Sequence, residues 1–199
     1  MHGVTVDLSD AAARLDLERR LEQTPATAMT RGVFFNLIEH ELSRHRLVLP
    51  SAVKPTRGWR SYSFYPVRSL LTVFATAGAL LDQDPLEGVR RIFRGGAQYV
   101  SSTWYGKAFQ RFLKPDPTAA LYWIERSREH MANYGRWRIE SRAPGRAVIH
   151  MFDEYLWIDS AQRGGCEGLL HACGVEGEVV AVLDDQFNGR LFVSWSIRN

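Results

Sequence analysis

The sequence predicts an α+β fold: a helical N-terminal two-thirds packed on a small antiparallel sheet built as β-β-α-β-β. Three observations predict it. Up to about Met131 the apolar residues recur at three- and four-residue steps, the spacing of one helix face. At Gly135 the period changes to two: Trp137, Ile139 and Ser141 alternate with Arg136, Arg138, Glu140 and Arg142. The glycine-bearing stretch Tyr155–Gly174 then separates two segments that each read as a hairpin. At 199 residues the chain reads as a single domain over 1–199. Within it, 1–29 is an N-terminal extension with a helix, 30–132 the helical layer, and 133–199 the sheet with its crossover helix.

In order along the chain, residues 2–8 read as a short strand or a tail. A helix follows from Ser9, with Ala11, Ala12 and Ala13 favouring it and Thr24-Pro25 ending it. Thr30 is expected to cap a second helix, Arg31 to about Arg46, with Val33, Phe34, Leu37, Ile38 and Leu42 on one side. Pro50–Tyr65 reads as a loop with one short strand. Pro66 opens a central helix carrying Leu70, Leu71, Phe74 and Ala77. Asp84-Pro85-Leu-Glu87 is a restart signal, cap then proline then acid. Gly95-Gly96 is expected to break or kink that helix, which resumes from Gln98 to Leu113. Asp116-Pro117 starts another, Ala119 to Met131. Ala143-Pro-Gly145 turns the first strand back into Arg146–Phe152. Tyr155–Gly174 is the crossover helix, its glycines explained by close packing against the sheet. Glu178–Asp184 and Arg190–Ile197 pair through an Asn188-Gly189 turn.

Composition excludes several classes. Hydrophobic residues make 45% of the chain and aromatic ones 12%, so it is not a disordered polymer. No apolar run approaches the ~18 residues of a membrane span, and the N-terminus does not read as a signal peptide. The expectation is a cytoplasmic protein. Cys166 and Cys173, seven residues apart on one helix, are about 10 Å apart, from a rise of ~1.5 Å per residue. They cannot form a disulfide, and free thiols suit a reducing compartment. The net charge is +3, and 22 of the 25 basic residues are arginine. They are scattered among 22 acidic residues, so nucleic acid is not the expected partner. A nucleic-acid binder built on the one local cluster, Arg90, Arg91 and Arg94, is the third of three functional readings.

The motifs that announce chemistry are mostly missing. His40-Glu-Leu-Ser-Arg-His45 resembles the helix of zinc proteases, but five-residue spacing turns its histidines about 140° apart. No metal site is expected, there or at the cysteines. Neither a nucleophile elbow nor a phosphate-binding glycine loop is present. The acidic pairs Asp153-Glu154 and Asp184-Asp185 read as solvated turn residues at strand ends. Asp159, Ser160 and Arg163 make a polar helix start that could hold an anion. The aromatic group Trp104, Tyr105, Phe109, Trp123 and Trp137 reads first as core, and second as the lining of a pocket for an apolar or planar ligand.

Five short motifs carry a resemblance: Thr30-Arg-Gly-Val-Phe-Phe35, Phe64-Tyr-Pro66, Pro85-Leu-Glu-Gly-Val-Arg-Arg91, Thr103 with Gly106, and Asn133-Tyr-Gly135. In that order they are similar to a myxobacterial-restricted family of unknown function, over about residues 15–197. More distantly, the plan of helices, hairpin, glycine-bearing helix and final hairpin resembles the ligand-binding superfamily of NO signalling and Golgi transport. That group includes haem–nitric-oxide-binding, 4VR and Bet3-like domains. The likeness to the 4VR ending rests on Cys166, Leu169-Leu170 and Cys173-Gly174, but a third cysteine is missing, which argues against metal. The haem branch implies an axial histidine on the helix at Ala119–Met131 and a Tyr-x-Ser-x-Arg motif beyond it. Here that helix holds His130 alone, and the motif reads Tyr134-Gly-Arg-Trp-Arg138. Haem is therefore not expected, and no other cofactor is.

The first functional reading is a non-enzymatic, cytoplasmic ligand-sensing or protein-interaction module in a bacterial regulatory pathway. Its partner would be another protein or a small apolar or planar ligand, and the superfamily analogy adds a homodimer formed through the helices. The expected ligand residues are Phe74, Trp104, Phe109, Trp123, Trp137 and Arg163. The second reading is an enzyme of unannounced chemistry using Asp159, Ser160, Arg163 or His171.

Overall fold

The computed structural model describes residues 8–102 and 116–196. The fold is α+β, as the change of period predicts. Its contacts gather into two compact units, Met1–Ile92 and Phe93–Asn199.

The first unit is helical with one small ribbon. Helices α1 (Leu8–Arg14) and α2 (Leu17–Gln23) replace the single helix expected from Ser9, because Asp16 sits at φ 48 in the left-handed region and breaks the run. Strand β1 (Met29–Arg31) pairs antiparallel with β2 (Phe64–Pro66), Thr30 opposite Tyr65. Thr30 is thus a fully buried strand residue and not a helix cap. Helix α3 (Val33–Arg44) starts after Gly32, where a Cβ would lie 2.2 Å from the Arg60 carbonyl oxygen. That close approach, not a hydroxyl cap, is what the local sequence encodes. The loop between β1–α3 and β2 carries one 3-10 turn, Ser51–Val53. Helix α4 (Val67–Leu81) buries Leu70, Leu71, Phe74 and Ala77 completely.

Helix α5 (Pro85–Ser102) is capped as expected: Asp84 Oδ1 accepts from the Leu86 N–H at 3.2 Å. It runs unbroken through Gly95-Gly96. Glycine lowers helix propensity by about 1 kcal/mol per residue but leaves the hydrogen-bonding pattern available. The expected helix beyond Ser102, with Trp104 and Phe109, lies outside the described residues. So does the strand or tail expected at 2–8, save Leu8, which opens α1.

In the second unit α6 (Pro117–Met131) begins on Asp116, whose carboxylate accepts from the Thr118 N–H at 2.9 Å. Strands β3 (Arg136–Ala143), β4 (Arg146–Phe152), β5 (Gly177–Leu183) and β6 (Gly189–Trp195) form one antiparallel sheet in the order β3-β4-β6-β5. The register stacks Ile139, Ile149, Leu191 and Ala181 in one cross-strand row, and Ser141, Ala147, Val193 and Val179 in the next. Apart from the exposed Ser141, these rows join Leu121 of α6 and Ile158, Cys166 and Leu170 in one apolar core.

Between the hairpins, Ile158–Gln162 is a π-helical turn leading into α7 (Arg163–Ala172). The close approach expected of its glycines is made, at Gly168, to a helix rather than to the sheet. A Cβ there would lie 2.2 Å from the Arg94 carbonyl oxygen of α5. Asn188-Gly189 is not a two-residue turn. Gly189 still pairs with Leu183, and Asp184–Asn188 form a longer loop. Asp185 organises it, accepting from the Phe187 and Asn188 N–H groups at 2.7 and 2.8 Å. Bonds from Asn188 and from the Phe187 backbone hold the Asp185 carboxyl below its usual range.

Candidate functional site

Helix α6 has two chemically different sides. Ala119, Tyr122, Trp123 and Arg126, at steps of three, one and three, line a half-open cavity of about 460 Å³. Two aromatic rings and one guanidinium on a single helix face suit a flat apolar ligand with an anionic or acceptor group at one edge. On the other side Leu121 enters the core. Glu125 there accepts from the Ile139 N–H at 2.9 Å, which covers an outward backbone donor of the edge strand β3. One turn later Arg128 meets Glu154.

Arg128 and Glu154 are a buried ion pair: Nη2 lies 3.0 Å from Oε2, with Glu154 fully inaccessible. Oε2 also accepts from Trp137 Nε1 at 2.8 Å, and Oε1 accepts from the Leu156 N–H at 3.2 Å. The Arg128 guanidinium stacks 4.5 Å over the Tyr134 ring and 5.4 Å from Trp137. Burial would lower the arginine's pKa, but the facing carboxylate outweighs it and the net shift is upward. Burial, helped by Glu154, pushes the Tyr134 phenol up. Gly135, at φ +70, lets the chain turn here; a Cβ would lie 3.0 Å from Arg128 Nη2. The Glu154 carboxylate is therefore no solvated turn residue, which corrects the reading of the Asp153-Glu154 pair. Its signal is that Leu121, Glu125 and Arg128 continue the core-facing stripe of α6: a charge on such a stripe needs a buried partner.

Four of the residues expected to hold a ligand are among the described ones. Trp123 lines the cavity. Trp137 is half-buried and spends its N–H on Glu154. Phe74 is fully buried in α4 of the first unit. Trp104 and Phe109 lie outside the described residues. Arg163 opens α7, its Nε 3.2 Å from Glu167 Oε1. Ala119, Tyr122 and Arg126 were not among the expected residues; their shared helix face was the available clue.

Of the polar helix start, Asp159 is exposed while Ser160 is 3% exposed. His171 is exposed in the last turn of α7, ~12 Å along the axis from Arg163. Arg90 pairs with Glu87 at 3.2 Å, and Arg91 with Asp82 at 2.9 Å, so their charges are locally balanced. His45 sits 3.4 Å from Glu41. Among the described residues no group of three or more His, Cys, Asp or Glu could hold a metal ion. Both cysteines are free, and burial pushes the Cys166 thiol up to about 12.

The fold is H-NOX-like. An H-NOX protein from K. algicida in the Fe(II) unliganded state superposes with a TM-score of 0.65 at 11% identity, covering 84% of this chain and 97% of that one. An H-NOX protein from S. oneidensis in the Fe(II)NO ligation state gives 0.65 at 10% identity, covering 84% and 99%. The IWP-051-bound H-NOX from Shewanella woodyi, in the Fe(II)CO ligation state, gives 0.63 at 12% identity, covering 84% and 95%. At such identities the likeness is one of fold. By sequence the chain belongs to the DUF2378 family, proteins of unknown function, which it matches over residues 23–196. No curated protein matches it.

The fold raises haem, and the residues do not fit it. His130 is the one histidine of α6 and lies exposed in its last turn, while the cavity face carries no imidazole. Tyr134 is committed beneath Arg128. Gly135 interrupts the two-residue alternation, so Tyr134 is buried while Arg136 and Arg138 are exposed. A Tyr-x-Ser-x-Arg clamp needs all three on one side.

Proposed function

We propose that this protein is a non-enzymatic ligand-sensing module that binds a small planar, largely apolar molecule on the outer face of α6. The observation that carries the reading is the half-open cavity of about 460 Å³ lined by Ala119, Tyr122, Trp123 and Arg126. That volume matches the 300–1,000 Å³ typical of small-molecule sites. The H-NOX-like fold supports it, since similar H-NOX structures hold NO, CO or IWP-051. The helix carrying the cavity is also fastened to the sheet through Glu125 and Arg128, so occupancy has a rigid element to act on. We place the protein in the cytoplasm, in a regulatory pathway. Two free thiols suit that compartment, and no helix among the described residues is long and apolar enough to cross a membrane.

Native mass spectrometry of protein purified from its own host tests the reading. A retained small molecule is expected in the natural protein and lost in Ala119→Phe, which fills the cavity. A Soret band that survives Ala119→Phe would overturn it, as would a bound mass unaffected by that substitution.

A further inference from the structure

The outer face of the β3-β4-β6-β5 sheet is rich in arginine towards β3, where it also carries Phe152, and apolar towards β5, where it also carries Glu178 and Arg190. At the β6–β5 end, Phe192, Val180 and Val182 are exposed by 36%, 44% and 39%, although their strand neighbours Leu191, Val193 and Val179 are buried. The register makes this a surface and not a scatter: Val180 is opposite Phe192, which is opposite Val148 on β4, itself buried at 3% exposure. At the β3–β4 end the same face carries Arg136, Arg138, Arg142 and Arg146, all exposed. Its carboxylate there, Glu140, lies 3.6 Å from Arg142 and 3.5 Å from His150. Arg190 is matched by Asp184 at 2.8 Å. Arg138 and Arg146 have no carboxylate within ion-pairing distance among the described residues.

We propose that this face docks an acidic amphipathic helix of a partner protein, its apolar stripe on Phe192, Val180 and Val182 and its carboxylates on Arg138 and Arg146. From β3 to β5 is three strand spacings, about 14 Å, which one helix of ~10–12 Å diameter covers. A second copy of the chain fits badly. A two-fold axis parallel to the strands would press the arginines onto the valines, and one across the strands would set arginine against arginine. A nucleic acid would satisfy the arginines but would leave a polyanion against the apolar half. Charge and apolarity side by side match a partner that carries both. This surface is separate from the α6 cavity and stands or falls independently of it.

The probe is a synthetic helical peptide with a leucine stripe flanked by glutamates, titrated against the full chain by amide NMR and calorimetry. Controls are a twin peptide with lysine for glutamate and a short DNA duplex. The glutamate peptide is expected to shift the amides of Arg138, Val148, Val180, Val182 and Phe192, and to bind more weakly as salt rises from about 50 mM to about 300 mM. Arg138→Glu with Arg146→Glu should weaken it by about tenfold or more, and Val180→Ser with Val182→Ser should also weaken it. All four positions are exposed, and an unchanged amide spectrum elsewhere verifies the fold. Equal binding of both peptides, preference for DNA, concentration-dependent shifts of these amides without peptide, or no binding by the glutamate peptide would each overturn the proposal.

Discussion

Helix α6 presents Leu121, Glu125 and Arg128 to the sheet, and Ala119, Tyr122, Trp123 and Arg126 to a cavity. At about 100° per residue the centres of these two sets differ by roughly 140°. The first set makes contacts that burial turns into obligations: Arg128 faces Glu154 and Glu125 faces the Ile139 N–H, and losing either contact strands a charge or a backbone N–H. The second set borders open volume, although Tyr122 also packs against the edge of the core. One helix can therefore be anchored by one side and read a ligand with the other, and stability and binding should separate along it.

The largest effect that would test this separation is at the ion pair. Arg128→Ala leaves the Glu154 carboxylate buried with only Trp137 and the Leu156 N–H, and should cost about 3–5 kcal/mol in urea unfolding. Arg128→Met with Glu154→Gln keeps an acceptor for Trp137 and removes both charges. It should recover most of the loss, because an uncharged buried pair owes no desolvation penalty. If Arg128→Ala alone is nearly neutral, the anchored side of α6 is not anchored there. A smaller loss is expected from Trp137→Phe, which keeps the ring and deletes one bond to the carboxylate: about 1.5–3 kcal/mol by the same measurement. Smaller again is Glu125→Ala, about 1 kcal/mol, as water can reach part of that site; Glu125→Gln preserves the acceptor and should be close to neutral.

Local signals carried most of the fold. Asp84-Pro85 and Asp116-Pro117 each start a helix because cap and proline act within one turn. The period change at Gly135 marks β3 because alternation is a property of the strand alone. What the sequence did not disclose depends on distant groups. Glu154 is buried by an arginine 26 residues earlier, and nothing next to it distinguishes it from the exposed Asp153. Thr30 reads as a cap until Tyr65 pairs with it across 35 residues. Asn188-Gly189 reads as a tight turn until the Asp185 carboxylate gathers the loop around itself. For the candidate site, of the four expected residues among the described ones, Trp123 lines the cavity; its neighbours Tyr122 and Arg126 follow only once the sheet has claimed the opposite side of α6.

The smallest stability effect is expected on that claimed-free side, and it is the one that separates the two roles. Trp123 is partly exposed, so Trp123→Ala removes contacts that are incompletely buried and should cost under about 1 kcal/mol. Arg126, exposed on the same face, should be neutral within about 0.5 kcal/mol when changed to alanine. If the cavity holds a ligand, its retention in native mass spectrometry should nevertheless fall in both variants, since an aromatic wall and an edge guanidinium contribute to binding without holding the fold. The opposite pattern is equally readable. A Trp123→Ala variant that unfolds several kcal/mol more easily would show that this side of α6 is core, and the division of the helix into an anchored and a reading face would fail at that residue.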